Sequence, residues 1–157
     1  MAWLSLGGNL GDVEGTFARV RENLEPKSIG KVKSSSIYRT EPWGRIDQPE
    51  FLNQVVGFLP KDGLEEMHLF LQHLEREEGR SRTEHWGPRT VDIDILYWPG
   101  RQCSNELLIV PHPRLHERRF VLEPWVTIAT HLVIPGYGKT VKELLNECTD
   151  SSWLEKI

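Results

Sequence analysis

Residues 85–96 read HWGPRTVDIDIL, and the second half of that stretch decides the fold. Val91, Ile93 and Ile95 alternate with Asp92 and Asp94, which is the period of a β-strand. The apolar residues then share one face and both aspartates share the other. Their Cα atoms should lie roughly 6–7 Å apart. Two like charges at that distance repel by about 2–3 kcal/mol at an effective dielectric near 20. A wet, open sheet face tolerates that repulsion, so a solvated surface is one reading. A platform for divalent cations is the other, because paired hard carboxylates with open positions suit Mg²⁺.

The elements before this strand place it in a fold. AWLSL at 2–6 is a short apolar strand. Asp12 reads as an N-cap, and Leu10, Val13, Phe17, Val20 and Leu24 fall on one helix face until Pro26 stops it. IGKVKSSSIYR at 29–39 reads as a strand with a weak start, and TEPWGRIDQPE at 40–50 as a loop. FLNQVVGFL at 51–59 is a strand ended by Pro60 and Gly63. Leu64, Met67, Phe70, Leu71 and Leu74 form a second helical stripe, with Gly79 placed at its C′ position. A loop at 80–89, the strand at 91–98 and a Pro99-Gly100 turn follow. The order β-α-β-β-α-β predicts an α+β, ferredoxin-like core: an antiparallel sheet with two helices on one face.

The remainder reads as an irregular C-terminal extension. A loop and a short helix are expected in 111–125, and Thr140 with Glu143 makes a capping box that opens a last helix. No repeat, low-complexity segment or linker interrupts the chain, so residues 1–157 are read as one domain.

Composition narrows the function classes. Hydrophobic content of 38% and charged content of 27% fit a soluble globular protein, and a net charge of −4 argues against a broad nucleic-acid or membrane footprint. Cys103 and Cys148 match no metal spacing and read as reduced thiols. No apolar run reaches transmembrane length and no signal segment precedes the first strand, so a cytoplasmic monomer is expected. Charge is unevenly spread. Between Asp62 and Gly138 there is no lysine, but eight arginines stand there: Arg76, Arg80, Arg82, Arg89, Arg101, Arg114, Arg118 and Arg119. The planar fork of arginine suits bidentate contacts to phosphate, so the pattern points to a local anion site.

Two nucleotide motifs fail on spacing. The glycines of LGGNLGD fall at 7, 8 and 11, which is not G-x-G-x-x-G. PGYGKT contains Gly-Lys-Thr, but Val133 stands where a P-loop needs glycine.

Taken in order, SLGGNLGD (5–12), YRTEPWG (38–44), QPEFLN (48–53), EGRSR (78–82), HWGPRTVDIDIL (85–96) and VPHPRLHERRFVLEP (110–124) resemble 6-hydroxymethyl-7,8-dihydropterin pyrophosphokinase, a folate-pathway family. The resemblance covers nearly the whole chain. It implies a ferredoxin-like core and Mg²⁺-dependent transfer of diphosphate from ATP to the pterin hydroxymethyl group. Asp92 and Asp94 match the family's pair for two Mg²⁺ ions. Arg80 and Arg82 match loop arginines on the triphosphate, and with the two aspartates they are the expected catalytic residues. Arg89, His112 and Arg118 match further phosphate contacts, while Gln72, Glu75, Trp86 and Ile95 match the nucleotide side. Thr40, Pro42, Trp43, Phe51, Asn53, Trp86 and Phe120 match the pterin pocket. The hairpin WPGRQCSNELL departs from the family pattern, so no adenine contact is carried over from 99–108.

The residue types suit that chemistry. A flat bicyclic ring fits between aromatic faces, and Asn53 offers a donor and an acceptor to its amide-like edge. Phe51 and Asn53 share a strand face, as such a slot requires. No compelling general base is visible, and phosphoryl-type transfer can rest on positioning and electrostatics. The competing readings are a nucleotidyltransferase, which also uses Asp-x-Asp on a strand, and a non-catalytic ferredoxin-like module for RNA or a small effector. The His-Trp-Gly-Pro-Arg lead-in speaks against the first and the acidic balance against the second.

Overall fold

From Ala2 to Leu6 every residue of β1 (Ala2–Gly8) is buried, which marks a central strand covered on both faces. The structure, a computed structural model, describes residues 1–42, 47–79 and 88–157. Asp12 caps α1 (Val13–Leu24) by accepting the Gly15 N–H at 3.0 Å. β2 (Lys33–Ser34), β3 (Tyr38–Thr40) and β4 (Phe51–Phe58) follow, then α2 (Leu64–Glu77) and β5 (Asp92–Tyr97). Gly79 ends α2 with φ of 86° and its N–H on the Arg76 carbonyl. The sheet runs β3-β4-β1-β5, with every pairing antiparallel, so the predicted ferredoxin-like arrangement is present.

Three local expectations need correction. Leu10 lies before the Asp12 cap, 47% exposed, and so is off the helix face. The strand expected over 29–39 is two short pieces, because the Ser35 hydroxyl takes the Val55 N–H at 3.0 Å and interrupts the ladder. Thr40, expected in a loop, is the last residue of β3.

The C-terminal extension is more ordered than its sequence pattern indicates. It holds β6 (Cys103–Ser104), β7 (Ile109–Val110), α3 (Arg119–Ala129), β8 (Val133–Ile134), β9 (Lys139–Thr140), α4 (Val141–Glu147) and β10 (Leu154–Lys156), with loops and a 3₁₀ turn at Leu115–Glu117 between them. The Thr140–Glu143 capping box opens α4 as expected. β10 adds to the outer edge of β3. α3 is eleven residues long despite Pro124 inside it.

Two cores result. Leu4, Leu6, Val56, Phe58, Ile93 and Ile95 face α1 and α2 through Phe17, Val20, Met67 and Leu71. Trp3, Val55 and Leu96 face the other way, onto Leu122 and Trp125 of α3 and Val141 and Leu144 of α4. Among the described residues, no helix is long and apolar enough to cross a membrane. Both cysteines are free.

Candidate active site

The face that carries Trp3, Val55 and Leu96 is only half covered. Further along the same strands, period two puts Ser5 and Gly7, Asn53 and Phe51, and Asp94 and Asp92 on that face. There they line a cleft of about 610 Å³, counting its open mouth. Thr40 and Glu41 line it from the end of β3, Arg89 from the approach to β5, and Arg118 and Phe120 from the start of α3. One rigid sheet thus supplies both an apolar core and the floor of a cleft.

The floor is ordered by register. Gly7 stands opposite Asn53 on one side and Asp92 on the other. Its lack of a side chain keeps the floor low, since a Cβ there would come within 3.3 Å of Asn53 Oδ1. Asn53 is 3% exposed and donates from Nδ2 to Thr40 Oγ1 at 2.9 Å. That bond fixes the amide's orientation and leaves a polar edge beside the Phe51 ring. A flat heteroaromatic with an amide-like edge matches such a surface.

Charge lies at the other end of the floor. Asp92 Oδ2 accepts from Arg89 Nη1. Asp94 Oδ2 accepts from Arg118 Nη1 at 3.3 Å, with His112 Nε2 at 3.8 Å. Each aspartate therefore has its own guanidinium, which offsets the repulsion that the sequence alone implies. Arg89 also lies over the Phe51 ring and Arg118 over the Phe120 ring, each 5.7 Å from the centroid. Burial holds the His112 imidazole below its ordinary pKa; Arg118 and Arg114 add to this and Asp94 opposes it. Its Nδ1 accepts the Arg114 N–H at 3.1 Å, so the neutral ring carries its proton on Nε2, toward Asp94.

Asp94 also lines a second cleft, of about 660 Å³ with its mouth. Ile95, His68, Ile109 and His112 line it, and so does the stretch Asn105–Leu108 of the hairpin from which no contact was carried over. The two clefts meet at one carboxylate.

Of the expected site residues, Thr40, Phe51, Asn53, Arg89, Asp92, Asp94, Arg118 and Phe120 come together in the first cleft. Ile95 and His112 join Asp94 in the second. Gln72 and Glu75, expected on the nucleotide side, line neither. Gln72 Nε2 meets His68 Nε2 at 3.2 Å, one step behind the second cleft. Glu75 is buried behind β5 with its carboxylate on the Ile93 N–H. Pro42 follows Glu41 but does not line the first cleft. Trp43, Arg80, Arg82 and Trp86 lie outside the described residues.

Sequence reasoning missed Ser5, Gly7, Glu41 and Asn9. Asn9 exchanges hydrogen bonds with the Arg89 backbone at 2.9 Å and donates to the Pro49 carbonyl and Gln48 Oε1. It ties the loop before β4 to the approach of β5. The available signal was the run of small residues, Gly7 and Gly8, at the end of a buried strand.

Comparison with known proteins identifies the family. Residues 3–130 match the family 7,8-dihydro-6-hydroxymethylpterin-pyrophosphokinase (HPPK). A 2-amino-4-hydroxy-6-hydroxymethyldihydropteridine pyrophosphokinase of Methylorubrum extorquens is 42% identical over 160 residues, covering 99% of this chain and 98% of its own. Its Bacillus subtilis counterpart is 42% identical over 130 residues, covering 82% and 77%. In structure, Plasmodium falciparum HPPK-DHPS superposes with a TM-score of 0.65 at 14% identity. That match covers 93% of this chain but only 43% of the Plasmodium chain, and it speaks for the fold alone. On the family match and the near full-length relatives together, the chain belongs to the 7,8-dihydro-6-hydroxymethylpterin-pyrophosphokinase family.

Proposed function

We propose that this protein transfers diphosphate from ATP to the hydroxymethyl group of 6-hydroxymethyl-7,8-dihydropterin. The observation that carries the reading is the pair of clefts sharing Asp94. The first cleft, with Phe51, Phe120, Asn53 and Thr40, takes the flat pterin. The second takes the nucleoside, and the phosphates lie where the two meet. The pterin oxygen attacks the β-phosphorus of ATP, the bond from that phosphorus to the α,β-bridging oxygen breaks, and AMP leaves. The hydroxyl proton passes to solvent, and no described side chain is assigned as its acceptor.

The carboxylate pair fits Mg²⁺. Among the described residues, no group of three His, Cys, Asp or Glu side chains forms a closed metal cage. Two hard carboxylates on an open floor suit a cation that completes its shell with phosphate oxygens and water. Asp92 and Asp94 would hold two such ions, whose charge, when bound, offsets that of the triphosphate. Arg89 and Arg118 stand on the same floor and stabilise charge on the transferred group. Asn53 and the aromatic rings orient the pterin so that its oxygen meets the phosphorus. Arg80 and Arg82 are assigned to the triphosphate by family resemblance.

The product decides the reading. The protein is incubated with ATP, Mg²⁺ and 6-hydroxymethyl-7,8-dihydropterin, and nucleotides are separated by chromatography. Pterin-dependent AMP equal in amount to a pterin diphosphate is expected. ADP as the product, or no turnover by folded protein, overturns it.

A further inference from the structure

We infer that residues 150–156 act as a strap that sets the spacing between the two side walls of the first cleft, with Asp150 and Trp153 as its positioning residues. One wall, Arg118 and Phe120, belongs to the start of α3, and the other, Thr40 and Glu41, to the end of β3. One stands on a helix packed over the sheet, the other at the end of a strand within it. The strap lies beyond the stretch that matches the family.

The start of α3 needs outside help. Its N-cap is Arg118, which makes no side-chain cap bond, and the first turn holds no acidic residue. A helix start leaves N–H groups without intrahelical partners and favours negative charge. Here it meets two arginines instead, Arg118 and Arg119. Asp150 supplies what is missing. Its Oδ2 accepts the Arg119 N–H at 3.1 Å, and its Oδ1 accepts the Ser152 N–H at 2.9 Å and the Ser152 hydroxyl. The residue so held stands between Arg118 and Phe120, the two wall residues.

Three residues further on, the strap grips the opposite wall. The Trp153 N–H donates to Glu41 Oε1 at 2.8 Å. β10 then pairs with β3, Leu154 opposite Thr40, and Arg39 bonds Glu155 at 2.6 Å while lying over the Trp153 ring. The Ile157 N–H closes the pairing on the Ile37 carbonyl at 3.0 Å. A span of three residues thus fixes one wall against the other. The second cleft, lined by His68, β5, residues 105–109, His112 and Pro113, makes none of these bonds. Loosening the strap therefore weakens the ligand of the first cleft most, and reaches the nucleotide of the second only through Arg118 beside the shared Asp94. The identity of that first ligand rests on the reading above.

The test uses Asp150→Ala, Asp150→Asn and Trp153→Pro in the full chain. Proline removes the N–H that Glu41 accepts. Hydrogen exchange is read without ligand. Asp150→Ala should speed exchange at 119–120, and Trp153→Pro at 38–41. Calorimetry then measures 6-hydroxymethylpterin in the presence of a non-hydrolysable ATP analogue with Mg²⁺, and the analogue alone. Loss of a helix cap is the scale, so each variant should weaken pterin binding roughly three- to tenfold and change nucleotide binding by less than about twofold. Asp150→Asn keeps one acceptor and should fall between wild type and Asp150→Ala. Exchange and pterin affinity equal to wild type in folded Asp150→Ala and Trp153→Pro overturn the strap. Equal loss of pterin and nucleotide affinity also overturns it, as plain destabilisation. If wild type binds no pterin but the exchange effects appear, the strap stands and the pterin reading falls.

Discussion

The carboxylate of Glu75 on α2 accepts the backbone N–H of Ile93 at 2.7 Å, in the gap between Asp92 and Asp94. A side chain 5% exposed thus ties the carboxylate-bearing strand to a helix on the opposite face of the sheet. Glu75→Leu should leave that N–H without its acceptor and cost about 1–3 kcal/mol of stability. Glu75→Gln keeps an oxygen acceptor and should lose less. Urea unfolding of both variants checks this, and equal losses would show that the acceptor is not what matters.

Like-charge repulsion alone predicts that removing an aspartate stabilises the metal-free protein. The pairing of Asp94 with Arg118 reverses the sign, because Arg118 is largely buried and its Nε already has no partner among the described residues. Asp94→Ala should lower stability in EDTA by about 0.5–1 kcal/mol and reduce turnover by roughly a hundredfold or more. A higher melting temperature in EDTA would mean that repulsion dominates; undiminished Mg²⁺-dependent turnover would remove Asp94 from the site.

Neighbouring glycines should fail differently. A Cβ on Gly8 would meet the Thr90 carbonyl oxygen at 2.3 Å, and backbone cannot step aside. Gly8→Ala should cost about 2 kcal/mol or more. Among the described residues, a Cβ on Gly7 meets only the Asn53 amide oxygen, at 3.3 Å, which a small shift relieves. Gly7→Ala should therefore fold normally and weaken pterin binding roughly tenfold by displacing that amide. Thermal melts and calorimetry separate the two, and the reverse pattern would misplace the floor.

The pH dependence of the metal-free protein should carry the mark of His112. Its folded-state pKa is depressed, chiefly by burial, so the unfolded chain takes up a proton first as pH falls through about 6.5. The unfolded state then binds more protons, and stability drops with falling pH until the folded imidazole also titrates. His112→Gln removes this term. Between about pH 7.5 and 5.5, wild type should lose more stability in EDTA than the variant. Parallel curves would show that His112 titrates alike in both states.

The order of elements was legible because long strands and amphipathic helices repeat their pattern many times. VDIDIL gave its two faces correctly, and Asp12, Gly79 and Thr140 marked helix ends through local chemistry. What was not legible depends on distant partners. The Asp94–Arg118 bond joins residues 24 apart in sequence, and no pattern announces it. Residues 29–39 read as one strand because the Ser35 hydroxyl that breaks it looks like any polar residue. A short helix is expected within 111–125, yet burial against the sheet carries α3 past Pro124 to Ala129. β10, three residues long with little buried surface, carries no signal at all.

β5 ends the sheet on one side, and a bare strand edge invites a strand from another molecule. On this side two of the edge groups are already taken. Glu75 holds the Ile93 N–H, and the Leu96 carbonyl accepts the His112 N–H at 3.1 Å. On the far side β10 presents exposed Glu155 and Lys156. Glu75 behind the floor and His112 at the second cleft thus also guard the protein against self-templated aggregation. Variants that free this edge should precipitate on concentration before they unfold.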